Sequence, residues 1–189
     1  MKILRVAVLM AGVLVLAGCG ASDGSNGREV KMDMQEAAER ADEILDGTFA
    51  AINPSVHWTH EQSTEGSCDV QRSRAVMTII SEERRGSFLG VIERYWESQG
   101  YKQLSVNNSD MPALYYRTPD EFNVRVLIGG AGQAFFEVAT PCVNTSKVSP
   151  PKAETVGPNY AGKETPIPDV KSDFWSAKSA PPSSPAPRT

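Results

Sequence analysis

The sequence predicts an α+β fold in which two helices pack on one face of a mostly antiparallel sheet. In two separate segments, apolar residues recur at steps of three and four, which is typical of amphipathic helices. Short segments of alternating apolar and polar residues follow each of them, separated by turn-forming residues. Strand runs interrupted by single helices indicate the order α-β-β-α-β-β-β-β in one domain, residues 33–142.

The first helix begins near Asp33, a residue type that caps helix N-termini well, and ends before Asn53-Pro54. Its outward face is strongly acidic. We interpret this face as solvated, with one Glu36–Arg40 pair, and a surface for a cation or a basic partner is the alternative. The acidic residues are Asp33, Glu36, Glu39, Asp42, Glu43 and Asp46.

Two strands are predicted next, over residues 56–62 and 74–80. The first contains His57 and His60, which invite a metal-site interpretation. Positions three apart point to opposite faces of a strand, and the helical zinc motif needs histidines four apart. The sequence therefore predicts no metal site here.

The second helix begins after Ser81, a good N-cap, and ends at Gly100, which suits the position after a helix. Gly86 and Gly90 lie four residues apart inside it. Because glycine destabilises a helix interior by about 1 kcal/mol relative to alanine, two of them predict a close packing contact. The sheet is the expected neighbour, and a ligand is the alternative.

The rest of the domain is predicted to be hairpin-linked antiparallel strands. They cover residues 101–107, 113–118, 122–128 and 134–140. The glycines after Ile128 lack the Lys-Ser/Thr pair and the helix of a phosphate-binding loop. The predicted core comprises Ile44, Phe49, Trp58, Val76, Ile80, Phe88, Ile92, Trp96, Leu104, Val126, Phe136 and Val138.

The N-terminus has the layout of an export signal. Basic residues at positions 2 and 5 precede an apolar run, residues 6–16, and the small residues Ala17 and Gly18 precede Cys19. A stable transmembrane helix needs about 20 apolar residues, so this run is too short to be one. Leu16-Ala17-Gly18-Cys19 resembles the lipobox of bacterial lipoprotein precursors.

The resemblance implies that residues 1–18 are a lipoprotein signal peptide and that Cys19 carries a diacylglycerol group. The expected location is the extracytoplasmic face of the cell membrane, with the lipid on Cys19 as the membrane contact. Residues 19–32, rich in Gly, Ser and Asn, form a flexible tether. The whole pattern resembles actinobacterial surface lipoproteins, a group that implies no particular activity.

Two cysteines remain once Cys19 is assigned to lipid. Cys68 and Cys142 are expected to pair, because an exported chain meets an oxidising compartment. The alternative, a catalytic thiol, lacks a suitable histidine partner. The sequence therefore predicts a disulfide that joins the start of the second strand to the end of the last.

The chain is acidic, with a formal net charge of −4, which argues against a nucleic-acid partner. Beyond Cys142 the composition changes. Residues 143–189 hold most of the prolines and few large apolar side chains, apart from Asp173-Phe174-Trp175. We predict that this segment is a largely disordered tail.

Three functions are compatible with these features. The favoured one is a non-catalytic binding or accessory module, without a cofactor and without assigned catalytic residues. A carrier or sensor of a small apolar ligand is the second, with a cleft beside Gly86 and Gly90. The third, a surface hydrolase, lacks a Gly-x-Ser-x-Gly motif and a metal-ligand set. The cleft would be lined by Phe88, Tyr95, Trp96, Tyr115 and Tyr116.

Overall fold

The computed structural model describes residues 32–179 and shows an α+β fold, as predicted. The predicted signal peptide and lipobox, nearly all of the tether and the last ten residues lie outside the described range. Neither helix of the described part of the chain has the length and apolar composition needed to cross a bilayer. The helices are α1 (Met34–Ala51) and α2 (Glu82–Ser98). The strands are β1 (Trp58–His60), β2 (Thr64–Glu65), β3 (Val70–Val76), β4 (Lys102–Asn107), β5 (Ala113–Arg117), β6 (Asn123–Ile128) and β7 (Ala134–Ala139).

The described strands form one antiparallel sheet of seven strands in the order β1-β3-β7-β6-β5-β4, with β2 paired to β3. Both helices pack on the same face, where their apolar stripes meet the inward residues of β5, β6 and β7. Alternation along β6 puts Val124, Val126 and Ile128 in this core. The predicted class and the single helical layer are thus confirmed, with one short strand, β2, added.

The helix boundaries follow their predicted signals. Asp33 caps α1 through a reciprocal pair, in which its carboxylate accepts from the Glu36 amide at 2.9 Å and the Glu36 carboxylate accepts from the Asp33 amide at 3.0 Å. Gly100 follows α2 with a φ of +75°, the left-handed conformation that glycine adopts without strain. Ser81 differs, because its hydroxyl donates to the Ala177 carbonyl at 2.6 Å and does not cap α2.

The second predicted strand corresponds to β3, which lies earlier in the chain than predicted. We expected a strand over residues 74–80, whereas β3 spans Val70–Val76 and includes two buried arginines, Arg72 and Arg74. Charged residues in a central strand break the apolar pattern from which strands are predicted. The pairing with β7 sets the observed register, with Arg74 opposite Phe136.

Cys68 and Cys142 form a disulfide, as predicted. It lies just before β3 and just after β7, where Gln71 faces Ala139. The Thr140 amide donates to the Val70 carbonyl at 2.9 Å and continues the ladder towards the disulfide. The bond therefore joins the paired strands β3 and β7 at one end.

Leu104 is not in the core, contrary to the prediction. It is 47% exposed on β4, at the edge of the sheet. The pairing of β4 with β5 shifts register between Gln103 and Ser105, so Leu104 occupies a β-bulge. Period-two alternation predicts which side of a strand faces inward, but it does not predict that no helix covers the edge strand.

Residues 143–179, here named the C-terminal strap, follow the surface of the domain. The strap pairs with the start of α1, where the Met34 amide donates to the Asn144 carbonyl at 2.9 Å. It then bridges β1, where the Trp58 amide donates to the Val156 carbonyl at 3.1 Å. The disordered tail predicted for residues 143–189 is therefore wrong up to residue 179, because backbone pairing fixes a segment with few apolar side chains.

Near the end of the strap lies Trp175, which is 1% exposed. Its indole packs edge-on against Phe88 of α2, with 5.1 Å between ring centroids, and its Nε1 donates to the Pro54 carbonyl at 2.6 Å. The Ser81 amide donates to the Trp175 carbonyl at 2.9 Å. Trp175 thus belongs to the main core and joins the strap to the start of α2.

Gly132 gives a stability prediction for the turn before β7. Its φ is +71°, and a Cβ there would lie 2.2 Å from the Ile80 carbonyl oxygen, a backbone atom. We expect Gly132→Ala to lower the free energy of unfolding by about 2 kcal/mol or more, measured by urea denaturation. Gly130→Ala is the matched control, because a Cβ at Gly130 meets nothing within 4 Å. Equal midpoints for the two variants would contradict the assigned contact.

Candidate functional site: a charged cluster and an open sheet edge

The acidic face of α1 is engaged in contacts within the chain. Asp42 lies 3.2 Å from Arg72, and Asp46 lies 2.6 Å from Arg74, both of which are on β3. Glu39 accepts from the Lys152 ammonium of the strap at 2.8 Å. Glu36, Glu39, Glu43 and Asp46 are exposed, as predicted for a solvated face, and the same face also attaches β3 and the strap.

The predicted Glu36–Arg40 pair does not form. Glu36 caps the helix, and the Arg40 guanidinium instead donates to Asp120 at 2.9 Å and to Glu43 at 3.1 Å. Asp120 belongs to the turn between β5 and β6. Arg40 therefore fixes that turn against α1, and its local pair along the helix is with Glu43 instead of Glu36.

Arg74 is the most enclosed charge of this cluster, with no exposed surface. Its guanidinium lies 4.2 Å from the centre of the Trp58 ring and 5.5 Å from that of Phe49. Burial lowers the pKa of Arg74, and the hydrogen bond that Arg74 donates to Asp46 opposes that shift. A cation on two aromatic faces beside one carboxylate is stabilised without a full set of hydrogen bonds.

Arg72 lies beneath the strap and is 2% exposed. Its two terminal nitrogens donate to the Ser63 hydroxyl and the Ser149 carbonyl, each at 2.6 Å. Burial raises the pKa of Asp42, its carboxylate partner, more strongly than the nearby arginines lower it. Arg72 thus holds α1, the segment after β1 and the strap together.

His60 is buried in the same cluster, and His57 is exposed. The His60 Nε2 lies 2.8 Å from the Ala153 carbonyl of the strap, where it donates as an N–H. Burial lowers the pKa of His60, and nearby Arg74 adds to the shift. The Nε2 proton of His60 therefore holds the strap.

The lowered pKa of His60 predicts that the stability of the fold depends on pH. Since the pKa of His60 is lowered in the folded state, the unfolded chain binds the proton more readily, and stability falls as pH falls below about 6.5. The loss is at most about 1.4 kcal/mol per unit of lowered pKa. Arg72, Arg74 and Asp42 are the charged groups that influence its pKa.

Urea midpoints between about pH 7.5 and 5.5 check this prediction. We expect the slope of midpoint against pH to flatten in His60→Gln, where the amide can still donate to the Ala153 carbonyl. His57→Gln is the control, because His57 is exposed, and it should keep the slope. An unchanged slope in His60→Gln would rule out His60 as its source.

A cleft of about 380 Å³ lies between α1 and the strap, above this cluster. Its walls include Glu39, Asp42, Asp46, Arg72 and Lys152, so carboxylates and cations face each other across it. Among residues 32–179, no three His, Cys, Asp or Glu side chains are grouped so that they could hold a metal ion. The charged groups of the cleft are arranged for attachment of the strap, without a nucleophile beside a general base.

The aromatic residues of the predicted apolar cleft do not line one cavity. Phe88, Trp96 and Tyr116 are core residues, each no more than 1% exposed. Tyr115 points to the opposite face of the sheet, because it alternates with Tyr116 along β5. Gly86 and Gly90 meet no sheet residue, which corrects the predicted close approach. The close glycine contact between the helices is at Gly47, whose Cβ position lies 2.3 Å from the Tyr95 hydroxyl oxygen.

The outermost strand, β4, has a different surface. All six of its residues are exposed, and within the described chain it pairs with β5 alone. Leu104, Val106 and Met111 are exposed large apolar residues on this strand and on the turn after it, and we name them the β4 strip. Val106 and Met111 are 41% and 54% exposed. The edge therefore combines open backbone groups with apolar side chains, the two features by which extended chains are bound.

Neither the buried arginines of β3 nor the exposure of the β4 edge was predicted from the sequence. Arg72 and Arg74 lie two residues apart, so their side chains share one face of β3. Together with the acidic helix before them, this spacing is the sequence signal that could have indicated the charged contact. The chain matches no known family model, and no curated protein or solved structure is significantly similar to it.

Proposed function

We propose that the protein is a lipid-anchored binding or accessory module at the extracytoplasmic face of the cell membrane. The lipobox-like Leu16-Ala17-Gly18-Cys19 supports the anchor. The Cys68–Cys142 disulfide supports an oxidising location. Together they indicate a folded domain held close to a membrane by a short tether.

The β4 strip is the observation that supports a binding role. The buried arginines of β3 and the carboxylates of α1 are directed at each other and at the strap, so they fix the fold instead of presenting reactive groups. The exposed edge, by contrast, offers backbone donors and acceptors beside Leu104 and Val106. Such a surface can bind an extended protein segment through backbone hydrogen bonds and apolar contacts, with no catalytic step.

Fractionation of cells tests the anchor. We expect Cys19→Ala to move the protein from the membrane fraction to the soluble fraction, because no acyl chains can then be attached. Ser22→Ala, three residues further along, is the matched control and should stay with the membrane. Retention of Cys19→Ala in the membrane fraction would contradict the proposed anchor.

Chemical cross-linking of intact cells tests the binding role. The wild-type protein is expected to give discrete adducts that are reduced in a Leu104→Asp/Val106→Asp variant, because two charges oppose burial of the strip. Ile167→Asp is the control, since Ile167 is exposed but lies on the strap. Equal adducts in all three proteins would exclude the β4 strip as the binding surface.

A further inference from the structure

We propose that the partner at the β4 strip is a second copy of this chain, and that the two β4 strands pair antiparallel about a two-fold axis. This inference rests on the proposed binding role and assigns its occupant. The proposed pairing joins two seven-stranded sheets edge to edge. In a two-fold contact the same patch is used on both subunits, so the patch has to complement itself.

The two edges of the sheet differ. At the β1 edge, the strap covers the backbone, where Trp58 bridges to Val156. The β4 edge has no such cover within the described chain, and three of the five exposed large apolar side chains belong to the β4 strip. The chain therefore protects one edge with its own residues and leaves the other for an intermolecular strand.

The charges beside β4 favour pairing with itself in the antiparallel direction. Glu93 of α2 accepts from the Gln103 side chain at 3.2 Å, near the start of β4, and Glu97 lies one turn further along the helix. At the other end, Arg85 of α2 donates to the Asp110 carbonyl at 3.2 Å, in the turn that follows β4. Along α2, the end beside the start of β4 is thus acidic and the end beside the turn is basic, whereas the order is reversed on the strand, where Lys102 opens β4 and Asp110 follows it.

An antiparallel two-fold arrangement places the start of one β4 beside the end of the other. Arg85 of each copy then approaches Glu97 of its neighbour, and the charges at both ends are complementary. A parallel arrangement would instead bring like charges together at each end. The charge pattern therefore selects the antiparallel pairing.

The bulge at Leu104 fixes where the strands meet. Regular pairing with β5 resumes at Ser105 and continues to Asn107, so the central residue of the regular segment is Val106. In a two-fold pair centred there, the two Val106 side chains lie opposite each other, with Cβ atoms about 5 Å apart.

Confinement of both copies to one membrane by the proposed lipid anchor would raise their effective concentration and so favour the pairing.

Engineered cysteines test the pairing in membranes that contain the full chain. Under mild oxidation, we expect Val106→Cys to form a disulfide-linked dimer of twice the monomer mass. Thr64→Cys is the matched control, because Thr64 is also an exposed strand residue but lies on β2, and it should remain monomeric. Peptide mapping of the Cys68–Cys142 bond verifies that each variant has folded with its native disulfide.

The other outcomes separate the inference from the proposed function. A Val106→Cys adduct with a different protein, without a dimer, would overturn self-pairing and leave the binding role intact. No adduct of either kind would overturn self-pairing and also count against the β4 strip as a binding surface. Equal dimer from Val106→Cys and Thr64→Cys would show non-specific collision and overturn the assignment.

Charge reversal tests the direction of pairing in the same Val106→Cys background. Arg85→Glu and Glu97→Arg should each lower the dimer fraction by about two- to five-fold, the range expected for an exposed ion pair. The double variant should restore it, because the charges are complementary again. Additive loss in the double variant would overturn the antiparallel arrangement.

Discussion

Replacement of Trp175 by alanine is expected to lower the free energy of unfolding by about 3–5 kcal/mol, the usual range for removal of a large buried aromatic side chain. The indole is 1% exposed and packs against Phe88, so its removal leaves a cavity between α2 and the strap. The indole hydrogen bond to the Pro54 carbonyl is lost with it. Urea denaturation measures the loss.

The same variant should also release the end of the strap. Limited proteolysis is expected to cleave Trp175→Ala within residues 157–179 much faster than the wild type, because the remaining attachments there are mainly scattered hydrogen bonds without a second large buried aromatic side chain. Ile167→Ala is the control, since Ile167 lies in the same segment and is 73% exposed. Equal stability of Trp175→Ala and Ile167→Ala would show that the indole is not part of the core.

Loss of the disulfide is expected to have a comparable effect. Cys68 and Cys142 are 74 residues apart, and closure of a loop of that length stabilises the fold by about 4.5 kcal/mol in the chain-entropy model. We expect the Cys68→Ser/Cys142→Ser variant to unfold at a much lower urea concentration. The strap begins directly after Cys142, so it should become sensitive to proteases as well.

A reducing agent provides the control for this variant. It should lower the urea midpoint of the wild type towards that of Cys68→Ser/Cys142→Ser and leave the midpoint of the double variant unchanged. A wild-type midpoint that does not respond to full reduction, verified by thiol counting, would show that the bond adds little to stability.

The helices and the class of the fold could be predicted because their signals are local. Asp33 and Glu36 form a capping box within four residues, and the apolar stripe of α1 repeats through the whole helix. The disulfide followed from a count of cysteines. None of these inferences requires knowledge of what lies opposite a residue in the folded chain.

The buried charges could not be predicted, because they depend on distant partners. Arg74 is tolerated in the core only because Trp58, Phe49 and Asp46 surround it. A strand predicted from apolar alternation therefore began at Arg74, four residues after the true start of β3. The clearest sequence signal for these buried charges was the pair Arg72 and Arg74, two residues apart, after an acidic helix.

The strap was missed for a related reason. Composition predicts whether a segment can build its own core, and residues 143–179 cannot. They are ordered because the domain supplies the other half of each contact, as the carbonyls of Ser149 and Ala153 show when they accept from Arg72 and His60. One tryptophan among prolines was the remaining local signal.

The position of Trp175 has a consequence for how the molecule is made. A polypeptide leaves the ribosome from its N-terminus, and all the strands are complete once residue 139 has emerged. Trp175 fills the hydrophobic interior next to Phe88. That interior therefore stays open until the 36 residues after residue 139 have also been synthesised. A nascent chain that stops short of this residue would leave that apolar surface exposed to quality-control proteases, so completion of the core depends on synthesis of Trp175.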